Sequence, residues 1–417
     1  MPVPASVLLV AGFDSQLKWA ARLGDALSRR EHRCRYVRPA GRSALSPEQI
    51  RATGVSTVQT LDRSELVTAA RASDVVVLAL TGPHVQDLVH ALQDQPDVTT
   101  PPVVVTGWVG VIFEKSTSGY LDRSAADVVV VNGRRDLHAF EPVADALGLP
   151  RDNLVLAGLP LLGPRPRPLR EGPVEVVCFA DQPTVPVEAA ERLALYEALV
   201  RYARRHSDRR VLLKPRHRRG EDTLHHMQHH PEDLLAGRDL PANLVFEHRS
   251  MTEVLAETDL LLTVSSTACL EALDRGCRVG LVLDLGVREQ LGNHVFVDSG
   301  LLRTIDQLAH DDIGTPEPDW LDQWFLGLDR APAEIVADRV EELLVTGERP
   351  SAAALATPYH RALRDRPDLP PIPAGRSAWR RRRAAHGPLA GTALHLGLDW
   401  TPPALQRPVR AWWRSRR

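Results

Sequence analysis

Two short stretches of the sequence combine residue types that could hold a phosphate group. In the first, RRVLLKPRHRRGEDTLHH (209–226), an apolar run is followed by basic, acidic and imidazole side chains: Lys214, Arg216, His217, Glu221 and His225. Cationic groups at the end of a strand could neutralise the charge of a phosphate leaving group. An arginine-rich surface loop is the simpler alternative. Lys214 favours a function, however, because it is one of only three lysines and a compact ammonium is not interchangeable with a planar guanidinium.

The second stretch, DLLLTVSSTACLEALDRG (259–276), ends an apolar run in the hydroxyl residues Ser265, Ser266 and Thr267, and a helical pattern starts at once. Hydroxyls and free N–H groups at the carboxyl edge of a sheet form the usual anion site of open α/β domains. The alternative is that Ser266 or Thr267 only caps the helix. Glu271, about one turn later, could bind ribose hydroxyls or simply lie near the positive end of the helix dipole.

The other two lysines also follow predicted strands. In AGFDSQLKWAARL (11–23), Asp14 could cap a helix or act as a general base, with Ser15 beside it and Lys18 one turn later. In GWVGVIFEKSTSG (107–119), Glu114 and Lys115 lie in a loop before another apolar run. We take Asp14 as the first candidate for a catalytic base and Glu114 as the second, with Ser15, Lys18, Lys115, His225 and Asn293 as further candidates in the acceptor cleft.

A metal site is not expected. His225 with His229 and His226 with His230 have the i, i+4 spacing of zinc ligands, but no HExxH glutamate or third ligand accompanies them. The sequence also lacks a GxGxxG fingerprint, a Walker A loop and a GxSxG elbow, which argues against dehydrogenases, NTPases and esterases. We expect no cofactor.

The elements that must position these residues are visible as Val- and Leu-rich runs that alternate with helical patterns. Such continuous apolar runs indicate parallel strands covered on both faces. They predict an α/β protein with two Rossmann-like, doubly wound domains. The expected divisions are an N-terminal domain (1–162), a Pro- and Arg-rich linker (163–173), a C-terminal domain (174–348) and a partly disordered basic tail (349–417).

Composition indicates a soluble, cytoplasmic protein. The chain has 417 residues, a net charge of -2 and no apolar stretch long enough to span a bilayer. The N-terminus lacks the basic region of a signal peptide, and four scattered cysteines suggest buried thiols. Residues 376–417 hold ten arginines against one acid, with Trp412 and Trp413 among them. That tail could be merely solvated, contact an anionic membrane surface peripherally, or bind nucleic acid, the last being least favoured.

Several segments together resemble GT-B glycosyltransferases: RSAADVVVVNGRRD (123–136), AGLP (157–160), KPRH (214–217) and VSSTACLEA (264–272). Within that fold the chain is most similar to an uncharacterised bacterial glycosyltransferase family. This family shares the segments DSxxKW (14–19), FADQPTVP (179–186), KxRxxxGExTxH (214–225) and GNHVFVDSGL (292–301). The resemblance covers residues 5–345.

A more distant resemblance is to bacterial sialyltransferases, polysialyltransferases and teichoic-acid polyol-phosphate transferases. It implies that the donor phosphates are held by Lys214, His217, Ser265, Ser266 and Thr267, and the ribose by Glu271. Because KPRH replaces KPHP here, a uridine or guanosine donor stays an alternative to a cytidine donor.

These resemblances imply a metal-independent glycosyltransferase that moves a sugar from a nucleotide donor to a cell-envelope or capsular glycan, or to a lipid-linked acceptor. No specific nucleic-acid partner is expected. The alternatives are a nucleotide-sugar 2-epimerase of the same fold and a non-catalytic nucleotide-binding protein.

Overall fold

The computed structural model describes residues 4–41, 45–93, 101–219 and 227–364, all within one compact unit of the chain. The strands are Ser6–Ala11 (β1), Arg33–Pro39 (β2), Val58–Leu61 (β3), Val75–Ala79 (β4), Val103–Gly107 (β5), Val128–Val131 (β6), Leu154–Leu156 (β7), Val176–Ala180 (β8), Arg210–Lys214 (β9), Leu244–Phe246 (β10), Leu260–Thr263 (β11), Arg278–Val282 (β12) and Leu302–Arg303 (β13).

The α-helices are Asp14–Ser28 (α1), Pro47–Arg51 (α2), Arg63–Arg71 (α3), Gly82–Gln93 (α4), Ser116–Leu121 (α5), Arg134–Leu147 (α6), Ala189–Arg205 (α7), Pro231–Leu234 (α8), Met251–Glu257 (α9), Ala268–Asp274 (α10), Ile305–Leu308 (α11), Pro318–Trp324 (α12), Pro332–Thr346 (α13), Pro350–Leu355 (α14) and Pro358–Arg364 (α15). Two short 3-10 helices, Glu289–Leu291 and Asn293–Ser299, follow β12.

The strands form two parallel sheets with the same connectivity. The first has the order β3-β2-β1-β4-β5-β6-β7 and the second the order β10-β9-β8-β11-β12-β13. All pairings between these strands are parallel. This is the strand order of doubly wound nucleotide-binding domains. The prediction of two doubly wound α/β domains is therefore confirmed.

The apolar runs are continuous because each sheet is covered on both faces. In β1, Leu8 and Val10 pack with residues of α3, α4 and α6, whereas Val7 and Leu9 pack with α1. Alternate residues of a strand point to opposite faces, so both sets must be apolar. β3 was missed by the sequence analysis because this edge strand is half-exposed and carries no apolar run.

The second sheet is built in the same way. One face packs against the long helix α7, through residues such as Phe179 and Tyr196, whose rings meet edge to face. The opposite face, which includes Cys178 and Leu212, packs with α9 and α10. All four cysteines are free thiols, three of them buried and Cys34 half-buried, which confirms the prediction of buried thiols in all but the degree of burial of Cys34.

The end of the folded chain returns to the first sheet. α13 packs against α1, and Arg30 at the end of α1 forms ion pairs with Glu334, Asp338 and Glu341 of α13. A helix that follows the second sheet in sequence thus covers part of the first. Several charges on one arginine give this contact more weight than an isolated surface ion pair.

The structure differs from the prediction that a loop-rich tail begins at residue 349. Pro350–Leu355 and Pro358–Arg364 are helices, and Ala354 and Leu355 are buried in the core of the first domain. Both helices begin with a proline, which is favoured in the first turn of a helix. Residues 365–417, which hold the arginine-rich segment with Trp412 and Trp413, lie outside the described residues.

Within the described ranges, none of the helices is long and apolar enough to cross a membrane.

Candidate functional site

The predicted site residues follow the central strands of the two sheets. The strand order reverses between β1 and β4 in the first sheet and between β8 and β11 in the second. Open α/β sheets bind ligands outside the carboxyl ends of the strands at such a point. β1 leads into Asp14, β11 leads into Ser265, and β9, the neighbour of β8, ends in Lys214. The topology therefore places the main candidate residues at the carboxyl edges of the two sheets.

Lys214 is a buried lysine that forms no ion pair with the described residues. Its side chain lies on the α9–α10 face of the second sheet, as does that of Leu212 two residues earlier, and the residue is 7% exposed. Among the described residues its ammonium has no hydrogen bond or ion pair. Burial lowers the pKa of Lys214 below its usual value and the charge of Lys18 lowers it further, against opposing effects of Cys178 and of the carboxylates of Glu247 and Glu253. An unpaired buried cation costs stability, so it is typical of a ligand site.

Asp14 is the first residue of α1 and faces the second domain. Arg216 Nη2 donates a hydrogen bond to Asp14 Oδ1 over 3.2 Å. Asp14 does not cap α1, because Phe13 occupies the N-cap position. Burial by itself would raise the pKa of Asp14, but the charges of Arg216 and Lys18 and a hydrogen bond from the Ser15 amide hold it below its usual value. Asp14 is therefore an ionised carboxylate at neutral pH.

Four charged side chains form what we call the interdomain charge cluster: Asp14, Lys18, Lys214 and Arg216. Asp14 and Lys18 are one helical turn apart, and Lys214 and Arg216 are two residues apart at the end of β9. Lys18 interacts electrostatically with both Asp14 and Lys214. Three cations thus share one carboxylate. The excess positive charge suits an anionic group such as a phosphate.

The hydroxyls after β11 have different environments. Ser265 is fully buried; its hydroxyl donates to the Leu291 carbonyl and accepts from Gln182 Nε2 at 3.2 Å. Ser266 is half-buried, and its Oγ accepts the Ala268 amide at 3.2 Å. Ser265 therefore stabilises the turn through buried hydrogen bonds, and Ser266 carries the more accessible hydroxyl.

Thr267 joins this turn to the first domain. It occupies the N-cap position of α10 without a capping hydrogen bond from its side chain. Instead, its Oγ1 accepts the amide of Val111 at 3.1 Å. Val111 belongs to the loop between β5 and α5, so Thr267 lies where the two domains touch.

The same loop carries the second candidate base on an exposed surface. Glu114 and Lys115 are largely exposed, and Lys115 Nζ lies 3.8 Å from Glu114 Oε1. Exposed ion pairs of this kind contribute little energy. Because Glu114 is exposed beside Lys115, whereas Asp14 is held by Arg216 of the second domain, the geometry favours Asp14 as base.

His217 has a structural environment. Its Nδ1 contacts the Arg218 carbonyl at 3.0 Å, and its Nε2 accepts the Met227 amide at 3.2 Å. Because Nε2 accepts the Met227 amide, Nδ1 donates to the Arg218 carbonyl, and the ring links residues at the two ends of the 217–227 segment. This arrangement uses both nitrogens that the sequence analysis assigned to a phosphate, so we leave His217 out of the phosphate site.

Asn293 is likewise used inside a loop. Its Oδ1 accepts the Arg288 amide and its Nδ2 donates to the Gly286 carbonyl, both at 2.9 Å, and the residue is fully buried. A role in acceptor binding would break these bonds. Glu271 lies half-buried in the first turn of α10, as expected from its spacing. Glu221 and His225 lie outside the described residues.

The described residues contain no group of three or more His, Cys, Asp or Glu side chains that could hold a metal ion. The HHMQHH segment, considered for its helical histidine spacing, has His225 and His226 outside the described residues. Residues 227–230 are not helical. His230 instead caps α8, accepting the Glu232 amide on its ring at 3.4 Å.

Sequence reasoning missed residues that hold the site together. Gln182, two residues after β8, accepts the Ser265 amide at 2.8 Å through Oε1. Asn132, directly after β6, donates to the carbonyls of Trp108 and Gly110 at 3.1 and 3.0 Å. Their position at the ends of central strands was the available signal. Asp136 was also missed: burial raises its pKa to about 7, but it follows β6, three strands away from β1, and so lies away from the charge cluster.

The fold and the position of the candidate site define the class. Two doubly wound domains that carry their candidate ligand residues at the carboxyl ends of the central strands have the GT-B architecture, which is found in glycosyltransferases and in nucleotide-sugar epimerases. The chain belongs to the family described as "Putative glycosyltransferase (DUF6716)", whose pattern it matches over residues 7–343.

Solved structures support the fold. The chain is similar to UDP-GlcNAc 2-epimerase from Methanocaldococcus jannaschii in complex with UDP-GlcNAc and UDP, with a TM-score of 0.51 and 8% identity over 80% of this chain and 98% of the other. It is also similar to UGT89C1 from Arabidopsis thaliana in complex with UDP, with a TM-score of 0.50 and 11% identity over 82% of this chain and 99% of the other. A comparison with curated protein sequences gives no match.

Proposed function

We propose that the protein transfers a sugar from a nucleotide donor of the CMP, CDP or UDP type to a cell-envelope or capsular glycan acceptor. The observation that carries this proposal is Lys214, a buried lysine with no ion pair among the described residues, at the carboxyl edge of the second sheet. A phosphate bound there would supply the missing negative charge. Two proteins of similar fold were solved with UDP, which supports a nucleotide as the ligand.

The donor would bind to the second domain. Lys214 and Thr263 end strands on either side of β8, which puts their backbones about 10 Å apart at neighbouring-strand spacing. A nucleotide phosphate fits between Lys214 and the turn that follows Thr263, where Ser266 and Thr267 offer hydroxyls. Arg216 adds a second cation, and Glu271 is the candidate ligand for the ribose.

The transfer would use the charge cluster. Asp14 accepts the proton of the acceptor hydroxyl, whose oxygen forms a bond to the anomeric carbon of the sugar. The bond from that carbon to the phosphate oxygen breaks, and its electron pair leaves with the phosphate, which Lys214 and Arg216 stabilise. Glu114 is the second choice of base. In this scheme the chain itself supplies the positive charge at the leaving group, so no metal ion is required.

The acceptor would bind on the first domain, next to Asp14 and Lys18. A lipid-linked acceptor would be reached from the cytoplasmic face of the membrane, with the arginine-rich tail as a peripheral contact to anionic lipid. This part of the proposal rests on the sequence of residues 376–417.

A nucleotide-sugar 2-epimerase is the second candidate, because such an enzyme has a similar fold at a TM-score of 0.51. An epimerase would convert its nucleotide sugar with no acceptor present, whereas a transferase would require one. A non-catalytic protein would bind the nucleotide and convert nothing.

The test is a thermal-shift screen with CMP, CDP, UDP and GDP on the wild type, Lys214→Ala and Ser266→Ala. At least one nucleotide should raise the melting temperature of the wild type, since a ligand that binds only the folded state stabilises it by mass action. Both variants should lose most of this shift. Arg238→Ala is a matched control, because Arg238 is paired with Glu197 on the surface. If no nucleotide stabilises the wild type, the proposed donor site is wrong.

A further inference from the structure

The ion pair between Arg216 and Asp14 is weak enough for Arg216 to exchange Asp14 for another anion. It consists of one hydrogen bond of 3.2 Å, and the two side chains are 33% and 20% exposed. The Arg192–Asp181 pair in the second domain is different, since Arg192 Nη1 contacts both carboxylate oxygens at 3.0 and 3.1 Å and the side chains are 1% and 2% exposed. A single, partly solvated bond is weak and easily replaced, whereas a buried, doubly bonded pair is not.

Arg216 lies within reach of two anionic sites. It contacts Asp14 of the first domain, and it is two residues beyond Lys214, where the proposed donor phosphate binds. A phosphate carries more charge than a carboxylate and accepts paired hydrogen bonds from a guanidinium. A phosphate at Lys214 would therefore compete with Asp14 for Arg216.

The loss of Arg216 would change Asp14. The charged groups that face this carboxylate are Arg216 from the end of β9 and Lys18 from its own helix, together with the amide of Ser15. Burial acts against them and favours the neutral acid. With Arg216 withdrawn, only Lys18 and Ser15 oppose burial, so the carboxylate binds a proton more tightly and becomes a stronger base.

We propose that Arg216 couples the two substrates: it pairs with Asp14 while the donor site is empty, and the donor phosphate draws it away so that Asp14 can take the acceptor's proton. This inference rests on the proposed function. Arg216 is then a positioning residue for the base as well as a phosphate ligand. This coupling implies an order of binding, in which Asp14 becomes able to accept the acceptor's proton only after the donor has bound.

The experiment follows Asp14 directly. Protein labelled with ¹³C at aspartate carboxyl groups is titrated with acid, and the Asp14 resonance is assigned by its absence in Asp14→Asn. In the ligand-free state, Arg216→Gln should move the Asp14 titration midpoint to higher pH than in the wild type. Arg216→Lys should restore much of the low midpoint, because it keeps the charge. Arg238→Gln, which removes an arginine paired elsewhere on the surface, should leave the midpoint unchanged.

The second arm adds UDP, or whichever nucleotide stabilises the wild type most in the thermal-shift screen. Nucleotide should raise the Asp14 midpoint in the wild type and change it little in Arg216→Gln. If the nucleotide binds and the wild-type midpoint stays where it was, the coupling is wrong while the donor site stands. If no nucleotide binds, the proposed function fails and the coupling with it. An unchanged midpoint in ligand-free Arg216→Gln also overturns the coupling.

Discussion

The amide of Val111 donates a hydrogen bond to Thr267 Oγ1 over 3.1 Å and so joins a loop of the first domain to the turn after β11 in the second. The contact is close: a Cβ atom added at Gly110 would lie 2.6 Å from the same Oγ1. A second contact lies nearby, since a Cβ at Gly292 would lie 3.0 Å from the Phe113 ring. The domains therefore meet at the edge of the proposed donor site.

Gly110→Ala should weaken this junction. The added methyl group cannot fit while Thr267 keeps its rotamer, so we expect the hydrogen bond to break and the free energy of unfolding to fall by about 1–2 kcal/mol. Urea denaturation measures the change. In a Thr267→Ala background the Thr267 side chain no longer blocks the added methyl group. Gly110→Ala should then lower the free energy of unfolding by less, which gives a coupling energy between the two substitutions of about 0.5 kcal/mol or more. Strict additivity of the two changes would contradict the contact.

Lys214→Met should make the ligand-free protein more stable while abolishing nucleotide binding. Methionine keeps most of the length of the side chain and removes a charge that burial disfavours and that has no ion pair among the described residues, a gain of about 1 kcal/mol at neutral pH. The sign of the pH dependence follows from the lowered pKa of Lys214. The wild type should gain stability as the pH rises through that pKa toward the ordinary value of 10.5, so its deficit against Lys214→Met should shrink.

Urea denaturation at about pH 7 and about pH 10 tests this difference. A Lys214→Met variant that is less stable than the wild type at neutral pH would mean that the ammonium is satisfied in the free protein.

Asp14→Asn should retain nucleotide binding and lose sugar transfer. The amide keeps the shape of the side chain but cannot take a proton from the acceptor, and removal of a general base costs about 10²–10⁴-fold in rate. The measurement is product formation from a nucleotide sugar with acceptor, beside a thermal shift with nucleotide alone. Glu114→Gln is the matched comparison and should leave the rate within a few fold. Equal turnover by Asp14→Asn and the wild type would mean that another residue is the general base.

Acid should release the terminal helices from the first domain. His360 of α15 is fully buried, with Nε2 2.9 Å from Ser124 Oγ and Nδ1 3.3 Å from His90 Nε2. Burial lowers its pKa to about 4 from 6.5, and the charges of His90 and Arg364 act in the same direction. The folded state therefore favours the neutral ring. This stability is fully present above pH 6.5 and is lost as the pH falls toward 4.

The loss should approach about 3 kcal/mol at the acid end of that range. Urea denaturation of the wild type and His360→Gln across the range isolates the contribution. His310→Gln serves as the control, since His310 is exposed. A wild type and a His360→Gln variant with parallel pH profiles would exclude this role of His360.

Much of the fold was predictable because its signals are local. Val75–Ala79 and Val128–Val131 are apolar throughout, and such valine-rich runs are typical of a strand buried on both faces. The sequence pattern also predicts a long helix over residues 189–205, and these are the bounds of α7. The terminal helices were not predictable, because their stability comes from contacts with residues such as Ser124 and Asp127, more than 200 positions away.

The candidate site divides in the same way. The sequence alone determined that Asp14, Lys214 and Ser266 would follow central strands, because strand ends can be located from hydrophobic pattern and turn residues. Only the tertiary structure decided what each side chain contacts. In the tertiary structure His217 and Ser265 form hydrogen bonds with backbone groups, and Lys214 has no ion pair among the described residues. Arg216 forms an ion pair with Asp14, which is 202 positions away in the sequence. The physical reason is that hydrogen bonds and ion pairs depend on distances between side chains, and chain folding sets those distances independently of separation along the sequence.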